Sequence, residues 1–239
     1  MAEKVFMNTH EIGEEEAKAV EAEQTVSPLA AILAFIVSFL LLQFVGAAIV
    51  LTLGYGFALP SFELLIAAAP FSYMLLKRIN IRRYIGSRVS LKIVILGLAA
   101  GGMLLFINIF ASGVLTAIFG VSQAVEEQNK TITDLAGSPL GLLSVMISLS
   151  LSGFCEEFTF RAVLQNSINR KYSFAPALIV SSLAFGLTHF DPQVVHIVAA
   201  FIAALFLGYV YHRWNSYVVS ALAHSTMNFI VFAILLLVH

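Results

Sequence analysis

Long apolar stretches, separated by short polar segments, make up most of the chain after residue 27. A helix that crosses a membrane needs about 20 predominantly apolar residues in succession. The pattern predicts seven such helices, with expected bounds at Pro28–Leu53, Ser61–Leu76, Leu91–Phe119, Pro139–Phe160, Phe174–Phe190, Pro192–His212 and Tyr217–Val238. We therefore expect an all-α fold, a polytopic membrane bundle of about seven transmembrane helices.

Residues that favour helix starts support these bounds. Ser27 is a suitable N-cap for the first helix, with Pro28 in its first turn. Other prolines fall at or near expected starts, where a missing N–H matters least: Pro60, Pro139, Pro176 and Pro192. On this reading Glu63 lies in the first turn of the second helix, where its charge suits the helix dipole.

The composition agrees with a membrane protein. Hydrophobic residues make up 59% of the chain and charged residues 11%, whereas about 25% of the residues in a soluble domain are charged. The net charge is −1 and no basic cluster is interleaved with aromatic residues, so nucleic acid is not an expected partner.

A single cysteine, Cys155, excludes an intramolecular disulfide and a cysteine-based zinc site. Its apolar neighbours favour a packing role.

The distribution of basic residues predicts the orientation in the membrane. The segment Lys77–Lys92 holds six of them. Placing it in the cytoplasm also puts the N-terminus, Arg170, Lys171 and Arg213 on that side, and leaves Lys130 outside. We expect a cytoplasmic N-terminus and an external C-terminus in the plasma membrane of a prokaryote.

The polar segments divide the chain further. Residues 1–27 are rich in glutamate and are expected to form an acidic cytoplasmic tail, followed by a transmembrane domain over residues 28–239. The segment Gly120–Ser138 is expected to be a polar external loop.

Two adjacent carboxylates, Glu156 and Glu157, lie in an apolar stretch, where an ionisable residue costs about 2.5–3.5 kcal/mol on insertion scales. On a helix, Glu157 and Arg161 are i and i+4 and can pair. Glu156 then projects about 100° away and is free to accept and release protons. The alternative is that both glutamates are interface anchors at the cytoplasmic end of the fourth helix.

Two further polar groups fall inside expected helices. Phe185 and His189 share one helix face, and His224 and Asn228 share a face of the last helix. Two histidines on separate helices, together with the asparagine and the glutamate pair, point to one shared site. His196 lies just inside the sixth helix, and we expect a structural role for it.

In this order, the three groups resemble the motifs of the CAAX prenyl protease and bacteriocin-processing family, also called the Abi family. The family motifs read Glu-Glu-x-x-x-Arg, Phe-x-x-x-His, and His-x-x-x-Asn or Asp. The chain carries them as Glu156-Glu157-x-x-x-Arg161, Phe185-x-x-x-His189 and His224-x-x-x-Asn228. The resemblance covers residues from about 139 to 239, which would form the catalytic core.

The resemblance implies an intramembrane endopeptidase with its site inside the helical bundle. Eukaryotic members cut the last three residues from prenylated CAAX proteins, whereas many bacterial members process peptides or confer bacteriocin self-immunity. The expected partners are therefore a peptide or lipidated protein substrate, such as a bacteriocin precursor, and membrane lipids. The oligomeric state is left open.

These residues support a hydrolytic mechanism in which Glu156 takes a proton from water. His189 would bind that water or tune Glu156, and His224 and Asn228 would donate hydrogen bonds to the oxyanion. Glu157 would be held by Arg161 and would fix the local field. The expected catalytic set is thus Glu156, Glu157, His189, His224 and Asn228, with Arg161 and Phe185 as structural support.

Three alternatives stay open. Glu156, His189 and His224 would also make a zinc ligand set with an open position, although the scheme without a cofactor is preferred. The same fold can serve as a non-catalytic self-immunity or scaffold protein. A proton-coupled transporter is the third alternative, in which glutamate and histidine form a proton relay.

A shared site also requires the fourth helix to continue well past Glu156, so that the site lies deeper in the membrane than hydropathy suggests.

Overall fold

The structure, a computed structural model, describes residues 25–86 and 89–238. All regular elements in these ranges are helices, in the order α1 (Pro28–Leu53), α2 (Tyr55–Leu76), α3 (Arg82–Ile85), α4 (Leu91–Phe119), α5 (Gln123–Ala136), α6 (Pro139–Glu157), a π-helix (Phe158–Gln165), α7 (Asn166–Lys171), α8 (Phe174–Thr188), α9 (Val195–Trp214) and α10 (Tyr217–Val238). Most of the expected acidic tail, and Arg88 of the basic segment, lie outside the described residues.

The described residues confirm an all-α, polytopic helical bundle. Six helices are long and apolar enough to cross a membrane, with α6, the π-helix and α7 counting as one. The expected fifth span corresponds to α8, which is shorter, at 15 residues. The expected bounds of α1, α4 and α10 agree with the structure. The expected polar loop at 120–138 is wrong in one respect, since most of it forms α5.

The second helix begins at Tyr55 and not at Ser61. Gly54 alone separates α1 from α2, with a φ of 81° that glycine adopts without strain. Pro60 therefore lies inside the helix and does not mark its start. Glu63 lies in the interior of α2, and the expectation that it caps the dipole in the first turn is wrong.

The two prolines inside α2, Pro60 and Pro70, each leave the carbonyl four residues earlier without a helical N–H partner. A hydroxyl from a neighbouring helix replaces each missing donor. Ser144 of α6 donates to the first carbonyl, and Thr159 of the π-helix donates to the second at 3.0 Å. Such replacement is how membrane helices tolerate internal proline. These bonds fix α2, and with it Glu63, against the fourth span.

The fourth span runs without interruption over 33 residues, Pro139–Lys171, as predicted for a shared site. At a rise of about 1.5 Å per residue it is about 50 Å long, and Glu156 lies near its middle. All eight residues of the π-helix are buried. This segment contacts α1, α2, α3, α8, α9 and α10, so it forms the centre of the bundle.

The two ends of the bundle differ in charge. The Arg170 guanidinium lies 5.2 Å from the ring of Tyr84 in α3, so it shares one end with the basic segment after α2. At the opposite end, the Gln123 N–H of α5 donates to the side chain of Gln193 at 2.6 Å. Apart from Lys130 on α5, the basic residues of the described ranges thus lie toward one end, as predicted. The side of the membrane on which that end lies stays a prediction.

Glycines bring α4 and α6 close to α10. A Cβ atom at Gly101 would lie 2.8 Å from the Ala223 carbonyl oxygen and 2.6 Å from Thr226 Cβ. A Cβ atom at Gly153 would lie 2.5 Å from the Ala221 carbonyl oxygen. Backbone atoms cannot move aside as a flexible side chain can, so both positions require glycine for this packing.

We expect Gly101→Ala to destabilise the bundle by about 1–3 kcal/mol, because the added methyl group would force α4 and α10 apart. Gly102→Ala is the matched control, since a Cβ atom there meets nothing within 4 Å and alanine favours a helix. The thermal unfolding midpoint of the purified protein in detergent measures the difference. Equal midpoints for the two variants would show that the α4–α10 approach is looser than described.

Candidate active site

Glu157 and Arg161 form a completely buried ion pair. Arg161 Nε lies 3.1 Å from Glu157 Oε2, and both side chains are 0% exposed. This is the i, i+4 pair that the sequence predicts. The other carboxylate oxygen, Oε1, lies 3.4 Å from Nδ1 of His224 on α10. Glu157 therefore joins the first and third motifs directly.

The ring of Phe185 on α8 lies at the centre of the three motifs. It stacks on the His189 ring with centroids 4.8 Å apart and lies 5.7 Å from the His224 ring. The Arg161 guanidinium carbon lies 5.4 Å from the same ring, within the range of a cation–π contact. Phe185 thus packs against two histidines and the arginine, and its supporting role stays a prediction.

His189 follows α8 directly and is half-buried. Its Nδ1 lies 3.0 Å from the Phe185 carbonyl oxygen and 3.2 Å from the Thr188 hydroxyl. A carbonyl can only accept, so this bond places the proton on Nδ1 and leaves Nε2 as an acceptor. The ring of His196 lies 5.1 Å from that of His189. His189 is therefore oriented by its own helix end and can accept a hydrogen bond from water.

Glu156 is half-buried and contacts Glu63, for which the sequence pattern predicts a position in the first turn of α2. Its carboxyl group lies in hydrogen-bonding contact with that of Glu63 on α2. Ser148, two turns earlier on α6, donates to Glu63 Oε1 at 3.1 Å. Glu156 Oε2 has no hydrogen-bond partner within the described part of the chain. Glu156 thus has a free oxygen at the site, as a water-binding carboxylate needs.

The importance of Glu63 had one signal in the sequence. It is an acid in an apolar stretch, and no basic residue lies one helical turn away to pair with it. A helix that begins near Pro60 predicts that Glu63 interacts with the helix dipole. That prediction gives Glu63 an explanation without any contact with the site.

Asn228 joins α10 to α6, one turn after His224. Its Nδ2 donates to the Ser152 hydroxyl at 2.7 Å, and Ser152 lies one turn before Glu156. One amide N–H is used in this bond, and a second remains. His224 and Asn228 lie on the same helix face, as predicted, and their role as oxyanion donors stays a prediction.

Asp191 fixes the loop that follows His189, at the end of the bundle opposite the basic one. Its carboxylate accepts the backbone N–H groups of Gln193 at 3.0 Å and His196 at 2.9 Å. Burial acts to raise the pKa of Asp191, but these bonds and the Ser122 hydroxyl hold it below its ordinary value. The sequence reading did not single out Asp191, whose position C-terminal to His189 was its only signal.

The geometry also bears on the zinc alternative. Across residues 25–86 and 89–238, no three His, Cys, Asp or Glu side chains form a group that could hold a metal ion. Glu156, His189 and His224 are thus not gathered as a ligand set in this structure. The scheme without a metal stays a prediction.

Comparison with known proteins gives a match to a protein family. Residues 138–230 match the family model described as Type II CAAX prenyl endopeptidase Rce1-like. No curated protein and no solved structure is similar enough to the chain to count as a match. The matched segment contains all three motifs, from Glu156 to Asn228, and does not include Glu63.

Proposed function

We propose that the protein is an intramembrane endopeptidase that uses a glutamate-activated water. The match of residues 138–230 to the family model described as Type II CAAX prenyl endopeptidase Rce1-like supports this proposal. The substrate is a prenylated protein cut near its C-terminus, or a membrane-associated peptide such as a bacteriocin precursor. One observation carries this proposal: three motifs far apart in sequence meet around Phe185. Glu156, which interacts with His224 of this cluster, has an oxygen without a hydrogen-bond partner among the described residues.

In the proposed reaction, Glu156 takes a proton from a water molecule as its oxygen attacks the scissile carbonyl carbon. His189 accepts a hydrogen bond from the same water through Nε2. The C–N bond then breaks, and the proton held by Glu156 passes to the leaving amine. The carboxylate of Glu156 is thereby restored.

His224 supplies the charge that the oxyanion needs. Its Nδ1 faces the Glu157 carboxylate, and a protonated imidazole also has a free Nε2–H to donate. The free amide N–H of Asn228 lies one turn further along the same face. Glu157, held by Arg161 on its other oxygen, keeps His224 protonated and in place. The buried ion pair therefore acts on the reaction through His224.

The position of Glu156 along its helix sets the depth of the reaction. It lies near the middle of a 33-residue helix, and it contacts Glu63 in the interior of α2. The proposal therefore brings the scissile bond into the bundle. Membrane lipids surround the helices, the N-terminus is cytoplasmic and the C-terminus external, in the plasma membrane of a prokaryote.

Two peptides incubated with the purified protein in lipid vesicles test the proposed function. One is a prenylated CAAX peptide, and the other is an unprenylated leader-type peptide with an apolar segment. Cleavage of the first assigns a CAAX-type substrate, and cleavage of the second alone assigns a membrane-associated peptide. If a folded protein leaves both intact, the proposed activity is wrong.

We expect cleavage to survive strong chelation, because the water is activated by a carboxylate and the oxyanion is bound by side-chain N–H groups. The measurement compares initial rates before and after prolonged treatment with EDTA and 1,10-phenanthroline, followed by removal of the chelators. A loss of rate that added zinc restores would favour the zinc alternative instead.

A further inference from the structure

Glu63 is the one charged side chain that reaches the candidate site from a helix outside the family-matched segment, among the described residues. Three hydroxyls of the fourth span hold it in place. Ser144 and Thr159 bond to backbone carbonyls of its helix, and Ser148 donates to its Oε1 at 3.1 Å. Its carboxyl group is therefore held toward Glu156 by the packing of two helices.

Two carboxyl groups in hydrogen-bonding contact need a proton between them, because an ionised carboxylate has no hydrogen to donate. The other titratable or charged groups near Glu156 are Cys155 and Glu157 on its own helix and His224 on α10. No cation among these groups is paired with Glu63 or Glu156, since Arg161 and His224 both bind Glu157. Two negative charges this close would repel strongly in an apolar interior.

The geometry points to Glu63 as a positioning residue for Glu156: the two carboxyl groups share one proton, and through this hydrogen bond Glu63 orients the Glu156 carboxylate that takes a proton from water. This inference rests on the proposed function for its catalytic part. It gives α2, which carries no family motif, a defined part in the site.

The proton count closes over one turnover. The free pair carries one proton and one negative charge. When water attacks the carbonyl carbon, its proton goes to Glu156, and the pair becomes neutral with two protons while the oxyanion carries the charge. One proton then passes to the leaving amine as the C–N bond breaks, and the pair returns to one proton.

Three variants test the catalytic part in the full chain. Glu63→Ala removes the hydrogen-bond partner of Glu156. We expect kcat to fall about 10- to 100-fold with little change in KM. This loss is no larger than the effects of general acid–base groups, because Glu156 itself is kept. Glu63→Gln keeps an N–H donor but carries no charge, so activity at the optimum is retained within a few fold. Glu127→Gln makes the same chemical change at an exposed position of α5 and serves as the control.

The pH profile separates this role from a purely structural one. In wild type the protonated Glu63 donates a short O–H bond to the Glu156 carboxylate, and in Glu63→Gln a weaker amide N–H bond replaces it, so ionised Glu156 is stabilised less. We expect the acid limb of kcat/KM to move to higher pH by about one unit. Glu127→Gln and wild type should superimpose. A Glu63→Gln profile that superimposes on wild type, or a Glu63→Ala variant with wild-type kcat, overturns the inference.

An infrared measurement tests the shared proton without any substrate. The C=O stretch of a protonated carboxyl group is distinct from that of a carboxylate. At neutral pH we expect wild type to show the band of one buried protonated carboxyl, and Glu63→Gln and Glu156→Gln each to lose it. If the band is present but wild type cleaves no peptide, the proposed function fails while the shared proton stands. If wild type lacks the band, the shared proton is wrong.

Discussion

Replacing Glu156 with glutamine is expected to lower kcat for peptide cleavage at least about 100-fold, within the range that general acid–base groups contribute. The amide has nearly the same shape as the carboxylate but cannot take a proton from water. The contact with Glu63 can be kept, because the new N–H₂ group donates to the Glu63 carboxylate. The helix and its packing should therefore be unchanged, and the loss should fall on the chemical step.

The measurement is a single-turnover rate with the substrate peptide that wild type cleaves, combined with a thermal unfolding midpoint in the same detergent. Glu127→Gln, on the exposed side of α5, is the control and should match wild type in both measurements. A Glu156→Gln variant that unfolds at the wild-type temperature and cleaves at the wild-type rate would remove Glu156 from the reaction.

The second large effect concerns stability. We expect Arg161→Met to destabilise the protein by about 3–5 kcal/mol, as removal of one partner of a buried ion pair does. Both side chains of the pair are completely buried, so the Glu157 carboxylate would keep its charge with only His224 to balance it. The loss should be visible as a lower unfolding midpoint and a lower yield of folded protein.

The double variant Glu157→Gln/Arg161→Met is the control for this interpretation. It removes both charges together and fills the same space, and replacement of a whole buried pair is far less harmful than removal of one partner. The double variant should therefore unfold at a higher temperature than Arg161→Met alone. If the two changes simply add, the ion pair contributes less to stability than its burial indicates.

Local patterns in the sequence predicted the helices and the pairs that lie within one helix. The bounds of α1, α4 and α10 follow from unbroken apolar runs with flanking polar residues. The Glu157–Arg161 pair follows from i, i+4 geometry, which needs no knowledge of the fold. The face shared by His224 and Asn228 has the same origin.

Contacts between helices could not be predicted in this way. The Glu63–Glu156 contact depends on which residues of α2 and α6 face each other, and that register is set by Ser144 and Thr159 bonding to carbonyls freed by prolines. The π-helix could not be predicted either, because the burial of its residues depends on contacts with six surrounding helices. A sequence pattern with a period of 3.6 residues carries no sign of either feature.

The central claim is that the buried motifs form a peptidase site whose base is Glu156. The most direct measurement is mass spectrometry of the prenylated CAAX peptide and of the leader-type peptide after incubation with purified wild type or Glu156→Gln in vesicles. We predict that wild type cleaves at least one of the two peptides, the CAAX peptide with loss of its three C-terminal residues, and that the variant leaves both intact. Both peptides intact with folded wild type, or the same product in equal amount from both proteins, would contradict the claim.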